Sequence, residues 1–359
     1  MVSDIFCITR TRRLAVAAAS GVLLAFGLGA AASAEEATIV DDAGRSVTLD
    51  LPVGRVAVFN PWNAELFRAI GGADSLVGLD RGTASNPGYW PEDLTGAIIG
   101  ESQSEPNYDA IVALDPDVLV IPRNGAWEQA AQQLEPFDIP VVVMTGWDVL
   151  LHSQNARLVG QLVGEPDRAE AVVDFYEDTA ALLAERLEGV EPRRVYVENQ
   201  QPFRSPLVGS GWHDMIVIGG GENIFGDINF ADQPAAGGSV HDFAVDPEAV
   251  IVHDPEVIIL LGAGSLSYPA PAPELLREQV EAIAARPELE GVTAVRNGEV
   301  HAIGFFAANI VSKIIASVYV AKALYPDRFA DVDPEALVRT WLEDFQGVPY
   351  TGAYSYSLP

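Results

Sequence analysis

Two hydrophobic periods take turns along this chain. Short apolar runs such as Val56-Ala57-Val58, Val118–Ile121 and Pro140–Met144 alternate with stretches whose apolar residues recur every three or four positions. Strands alternating with helices at this spacing predict parallel sheets of the α/β class. The longest helical stretch runs from Gly164 to Gly189 (GEPDRAEAVVDFYEDTAALLAERLEG). Pro166 is tolerated in a first turn, where its missing N–H has no partner to lose. Asp167 and Glu170 suit the positive end of the helix dipole. Val173, Tyr176, Ala180, Leu183 and Leu187 form one apolar stripe, and Gly189 can take the left-handed turn that ends a helix. About 22 residues at 1.5 Å each predict a rod of roughly 33 Å.

The segments flanking this helix repeat each other. Arg55-Val56-Ala57-Val58-Phe59-Asn60 returns 139 residues later as Arg194-Val195-Tyr196-Val197-Glu198-Asn199. AIVALDPDVLVIP (110–122) returns at the same offset as AVIVHDPEVIILL (249–261). The pattern I-G-G-x-acid-x-aliphatic-x-G occurs at Ile70–Gly78 and at Ile218–Gly226. Three matches in one order predict two Rossmann-like α/β lobes with parallel sheets, residues 35–164 and 190–359, joined by the single long helix 165–189, with a cleft between them. Other expected elements are a hairpin over 38–53 turning at Asp42-Ala43-Gly44-Arg45, and helices over 127–134, 149–163, 309–324 and 334–345.

Residues 1–34 read as an export signal: Arg10, Arg12 and Arg13, an apolar run, then Ala32-Ser33-Ala34 as a cleavage site. Thr11-Arg12-Arg13-Leu14 permits the twin-arginine route. Cys7, the only cysteine, precedes the apolar run, so the processed chain is expected to have no disulfide and no thiolate chemistry. The formal net charge of −30 argues against nucleic-acid partners, which need clustered cations.

Catalytic patterns are not evident. The five histidines show no metal-ligand spacing, and no G-x-S-x-G elbow occurs. Gly209-Ser210-Gly211-Trp212-His213-Asp214 puts a carboxylate where a dinucleotide loop needs its third glycine. In parallel α/β lobes, ligands bind at the carboxyl ends of strands. The loops expected there carry aromatics and arginines: Trp62, Arg81, Trp90, Arg123 and Trp147 in the first lobe, and Arg204, Trp212, His213 and Phe306 in the second. Rings for stacking and guanidinium groups for bidentate contacts suit a flat or aromatic ligand with anionic groups. An exported esterase using Ser210 with His213 is the reading from another class.

The chain resembles the periplasmic binding proteins of ferric-siderophore, haem and cobalamin ABC importers. The resemblance rests on TIVDDAGRSVTLDLPVGRVAVF, EPNYDAIVALDPDVLVI, GGGENIFGD, VDPEAVIVHDPEVIIL and AVRNGEVHAI. It implies a non-enzymatic monomer that carries a solute to an ABC permease of the inner membrane, with no metal or cofactor of its own. It also implies lobes that close little on their ligand. Asp109 and Glu248 match the acidic residues that dock such lobes on the permease, although the first is usually glutamate. A ferric siderophore would use Arg81, Arg123 and Arg204. Cobalamin would lean on Trp62, Trp90 and Trp212. Haem would need an axial group such as His213 or His241. The siderophore is the first expectation and cobalamin the second.

Overall fold

The computed structural model describes residues 35–358, apart from Pro87, 233–237 and 263–267. The expected export signal and Cys7 lie outside the described residues. Two parallel sheets organise the rest. The first runs Leu76–Leu79, Val56–Val58, Val118–Ile121, Val141–Val143, all parallel. The second runs Gly221–Asn223, Arg193–Asn199, Val257–Gly262, Val300–Gly304, and adds Ser355–Ser357 as an antiparallel edge. The strand order is therefore the same in both lobes, as the repeats predict. The hairpin pairs Glu35–Val40 with Ser46–Leu51, and Gly44 turns it at φ 73°.

The repeated residues form the same clip in each lobe. Arg55 caps the end of helix Tyr108–Leu114 by donating to the carbonyls of Asp115 (2.8 Å) and Leu114 (2.5 Å). Arg194 does the same for helix Pro247–His253 through the carbonyls of His253 (3.2 Å) and Asp254 (3.0 and 3.1 Å). Asp115 and Asp254 end these helices in left-handed conformation, at φ 47° and 44°, which aspartate tolerates better than most residues. Two residues on, a carboxylate receives the backbone N–H of the clip arginine: Asp117 for Arg55 (2.9 Å), Glu256 for Arg194 (3.1 Å). The Arg…Asp-Pro-acid spacing thus ties the first core strand of each lobe to the next.

The connecting helix is Pro166–Arg186, with Ala169, Val172, Val173, Tyr176, Ala180 and Leu183 buried. Its stripe belongs to a hydrophobic core that includes residues of both sheets, among them Val56, Val118, Val197 and Ile259, and Trp341 near the C-terminus. Each sheet has a second, smaller core on its other face. Among the described residues no helix is long and apolar enough to cross a membrane.

Two expected helices differ. The stretch over 309–324 is helical only over Ile314–Leu324, because Val311, Ser312 and Lys313 stand at φ 48°, 47° and 71°. Three successive left-handed residues cannot continue a right-handed helix. The last helix is regular over Pro334–Thr340 and widens to a π turn over Trp341–Phe345.

Candidate functional site

Each aromatic group at the seam between the lobes is set by a short polar motif. Asn60 stands at φ 87° and ψ 131°, outside the left-handed helical region, and its side chain caps helix Pro61–Ala69 by accepting from Trp62 N at 3.2 Å. Asn63, fully buried, donates to the carbonyls of Phe59 (3.1 Å) and Met144 (2.8 Å) and accepts from Gly146 N (2.8 Å). That bond leaves no room for a Cβ on Gly146, which would stand 2.6 Å from Asn63 Oδ1. The turn Thr145-Gly146-Trp147 is thereby laid beside Trp62, and the two indoles meet edge to face at 6.0 Å. Trp62 Nε1 donates across the seam to the carbonyl of Asn309 at 2.6 Å.

Trp62, Trp90 and Phe306 line one small cavity of about 20 Å³, with Glu65, Thr83, Asn86 and Asn309. Phe306 packs on Tyr89 at 5.2 Å, and Tyr268 N donates to Asn86 Oδ1 at 2.8 Å, so both contacts join the lobes. Trp90 is buried beneath the Arg68 guanidinium, 4.2 Å from its ring. Arg68 Nε bonds Gln346 Oε1 at 2.6 Å, and its Nη1 donates to the Tyr89 carbonyl. Glu65 accepts from the Tyr89 hydroxyl at 2.7 Å, and burial raises its pKa to about 7.

Trp212 opens helix Gly211–Ile218 behind its cap Ser210 and packs on Phe305 at 5.3 Å. Its indole nitrogen is buried and has no partner. What joins Trp212 to Trp62 is Lys313, whose Nζ stands 4.9 Å from the Trp62 ring and 5.8 Å from the Trp212 ring. The lysine aliphatic chain lies over Gly211, where a Cβ would approach to 3.1 Å. The left-handed segment that delivers it is pinned by Ser312. The Ser312 hydroxyl donates to the Gly146 carbonyl at 2.5 Å and meets His152 Nδ1 at 2.7 Å. Burial holds His152 neutral, with a pKa lowered to about 3, and its ring stacks on Tyr176 of the connecting helix at 4.4 Å.

The sequence-chosen arginines are all engaged. Arg81, at the rim beside cavity residue Thr83, pairs with Glu101 at 2.7 Å. Arg123 pairs with Asp148 at 2.7 Å, next to Trp147. Arg204 pairs with Asp242 at 2.7 Å, on the small sheet formed by Arg204–Ser205, Gly238–Ser239 and Asp242–Ala244. His213 Nδ1 lies 3.2 Å from Asn223 Nδ2, and burial lowers its pKa. Among the described residues, no ring contact or hydrogen bond joins Arg204 or His213 to the Trp62 group. The pairing of Ser210 with His213 is corrected: Ser210 Oγ meets His241 Nδ1 at 3.0 Å and caps Trp212 N at 3.3 Å. Lys313, Asn309 and Arg68 were missed. The one sequence signal for Lys313 is rarity, since the chain has only two lysines.

No group of three or more His, Cys, Asp or Glu among the described residues could hold a metal ion. A larger cavity of about 370 Å³ lies in the second lobe, beside His301, Tyr319, Lys322 and Glu335. Lys322 there bonds the Val332 carbonyl (2.5 Å) and Glu335 bonds Tyr350, Tyr354 and Ser355 (2.8–3.2 Å), while among the described residues the Tyr319 hydroxyl has no hydrogen-bond partner. Asp109 and Glu248 are exposed, each the second residue of its helix, behind caps Asn107 and Asp246.

Twin α/β lobes joined by one helix set an aromatic seam at their strand ends. Residues 56–305 match the family model described as periplasmic binding protein, and the chain belongs to that family. Its members are solute-binding proteins of importers, not enzymes. The chain is 25% identical over 229 residues to a cobalamin-binding protein of Halobacterium salinarum, an alignment covering 61% of this chain and 57% of the relative. It thus spans little more than half of that relative's length. It is 27% identical over 223 residues to the vitamin B12-binding protein of Salmonella typhimurium, covering 60% of this chain and 77% of that protein. Among solved structures it is similar to the TroA-like periplasmic binding protein FepB of Veillonella parvula, at TM-score 0.74 and 20% identity over 90% of this chain and 99% of that one. The molybdate-binding MolA of Haemophilus influenzae follows at TM-score 0.68 and 20% identity, over 88% and 99%. At such identities the structures speak for the fold alone.

Proposed function

We propose that this protein binds a corrinoid at the seam between its lobes and delivers it to an ABC permease. The observation that carries the reading is the set Trp62, Trp147 and Trp212, gathered at the seam. Indoles offer flat, rigid area to a macrocycle. The cobalamin-binding relatives point the same way. The cavity of about 20 Å³ is far below the roughly 300–1,000 Å³ of ligand pockets, so uptake requires the side chains of the seam to move apart.

A ferric siderophore is the second reading. It is favoured by Arg81 and Arg123, whose side chains are 57% and 48% exposed; surface pairs of this kind are worth about 0–1 kcal/mol and are easily exchanged for a ligand anion.

Docking on the permease is assigned to Asp109 and Glu248, placed alike on the two lobes. Residues 1–34 serve as the export signal, and the working unit is a monomer with lobes 35–164 and 190–359 about the helix 165–189. Tryptophan quenching by cyanocobalamin, haem and ferric siderophores tests the ligand. Saturable quenching by cyanocobalamin, weakened about tenfold or more in Trp62→Ala, is expected. Quenching by a ferric siderophore in its place would move the assignment to the second reading.

A further inference from the structure

We propose that Lys313 anchors an anionic group of the bound solute, a phosphodiester or a carboxylate, between Trp62 and Trp212. The inference rests on the seam being the binding site and adds the ligand's charge and the residue that reads it.

Lys313 is 4% exposed, yet among the described residues it has no carboxylate within salt-bridge distance and its ammonium makes no hydrogen bond. It differs in this from the arginines the sequence singled out and from Arg68, although Arg68 Nη2 is itself buried without a partner. Arg81, Arg123 and Arg204 each have a carboxylate, and Arg68 has two hydrogen bonds. An ammonium facing only ring faces is under-satisfied, because it carries three donors. Burial lowers its pKa to about 8, against the pull of Asp214 and Asp148, and its charge in turn lowers the pKa of His241. Asp148 is spent on Arg123.

The backbone is built to present this side chain. Three left-handed residues, one of them β-branched Val311, persist only where the surroundings hold them. Ser312 supplies that hold from the opposite lobe through Gly146 and His152. Gly211 supplies the flat floor beneath the chain. An anionic acceptor entering between the indoles would give the ammonium the charge-assisted bond it lacks, while the indole nitrogen of Trp212, buried without a partner, offers a second donor.

The test compares wild type, Lys313→Met and Lys313→Arg with two corrinoids. Cyanocobalamin carries a phosphodiester in its nucleotide loop, and dicyanocobinamide lacks it. Lys313→Met is expected to weaken cyanocobalamin by about 10- to 100-fold and to leave dicyanocobinamide within about threefold, with Lys313→Arg restoring part of the loss. Equal weakening of both corrinoids, or of neither, would overturn the proposal. If the wild type binds neither corrinoid, the corrinoid reading falls, and the same variants are titrated with anionic ferric citrate and cationic ferrioxamine. Loss confined to ferric citrate in Lys313→Met would keep the anchor. Binding insensitive to the variant, or none, would overturn it.

Discussion

At the scale of single residues, two buried ionisable side chains at the seam pull stability in opposite directions with pH. Glu65 has its pKa raised to about 7. The folded state therefore holds a proton that the unfolded state loses above about 4.5, and stability falls as pH rises from about 4.5 to 7. His152 has its pKa lowered to about 3. Here the unfolded state takes up the proton first, and stability falls as pH drops from about 6.5 toward 3. The slopes oppose each other between about 4.5 and 6.5. Glu65→Gln should expose the acid-side loss and His152→Asn the opposite slope, each on the order of 1–3 kcal/mol across its window. Parallel pH profiles for all three proteins would refute the assignment.

At the scale of elements, the two clips carry the fold's internal symmetry. Asp117→Ala and Glu256→Ala each leave the arginine's backbone N–H without its carboxylate. Each should cost about 1–3 kcal/mol in chemical denaturation, and the double variant should be close to additive, the sites lying in different lobes. These elements were legible in the sequence because arginine, strand, Asp-Pro and acid recur at one offset, so that each clip closes over the same 62 residues and makes the same bonds. The seam was legible only in its rings. Trp62, Trp90, Trp212 and Phe306 could be placed by the strand-end rule, but the arginines' partners Glu101, Asp148 and Asp242 come from other elements. Lys313 was hidden by the expected helix over 309–324. No glycine marks its left-handed turn, which is held from the other lobe by Gly146 and His152.

At the scale of the molecule, the connecting helix and the buried contacts across the seam make large rotations of the lobes costly. Ligand uptake should change the radius of gyration by less than about 1 Å in small-angle scattering; a hinge closure would change it by more. Asp109→Lys with Glu248→Lys should leave solute affinity unchanged and abolish uptake in cells, a split that checks the docking assignment. The core shared by both sheets and the helix Pro166–Arg186 has one more consequence. Neither half owns a complete interior, so the halves cannot melt one after the other. Calorimetry should record a single endotherm whose van't Hoff and calorimetric enthalpies agree, and a fragment ending at the helix should stay unfolded until its missing half is added back.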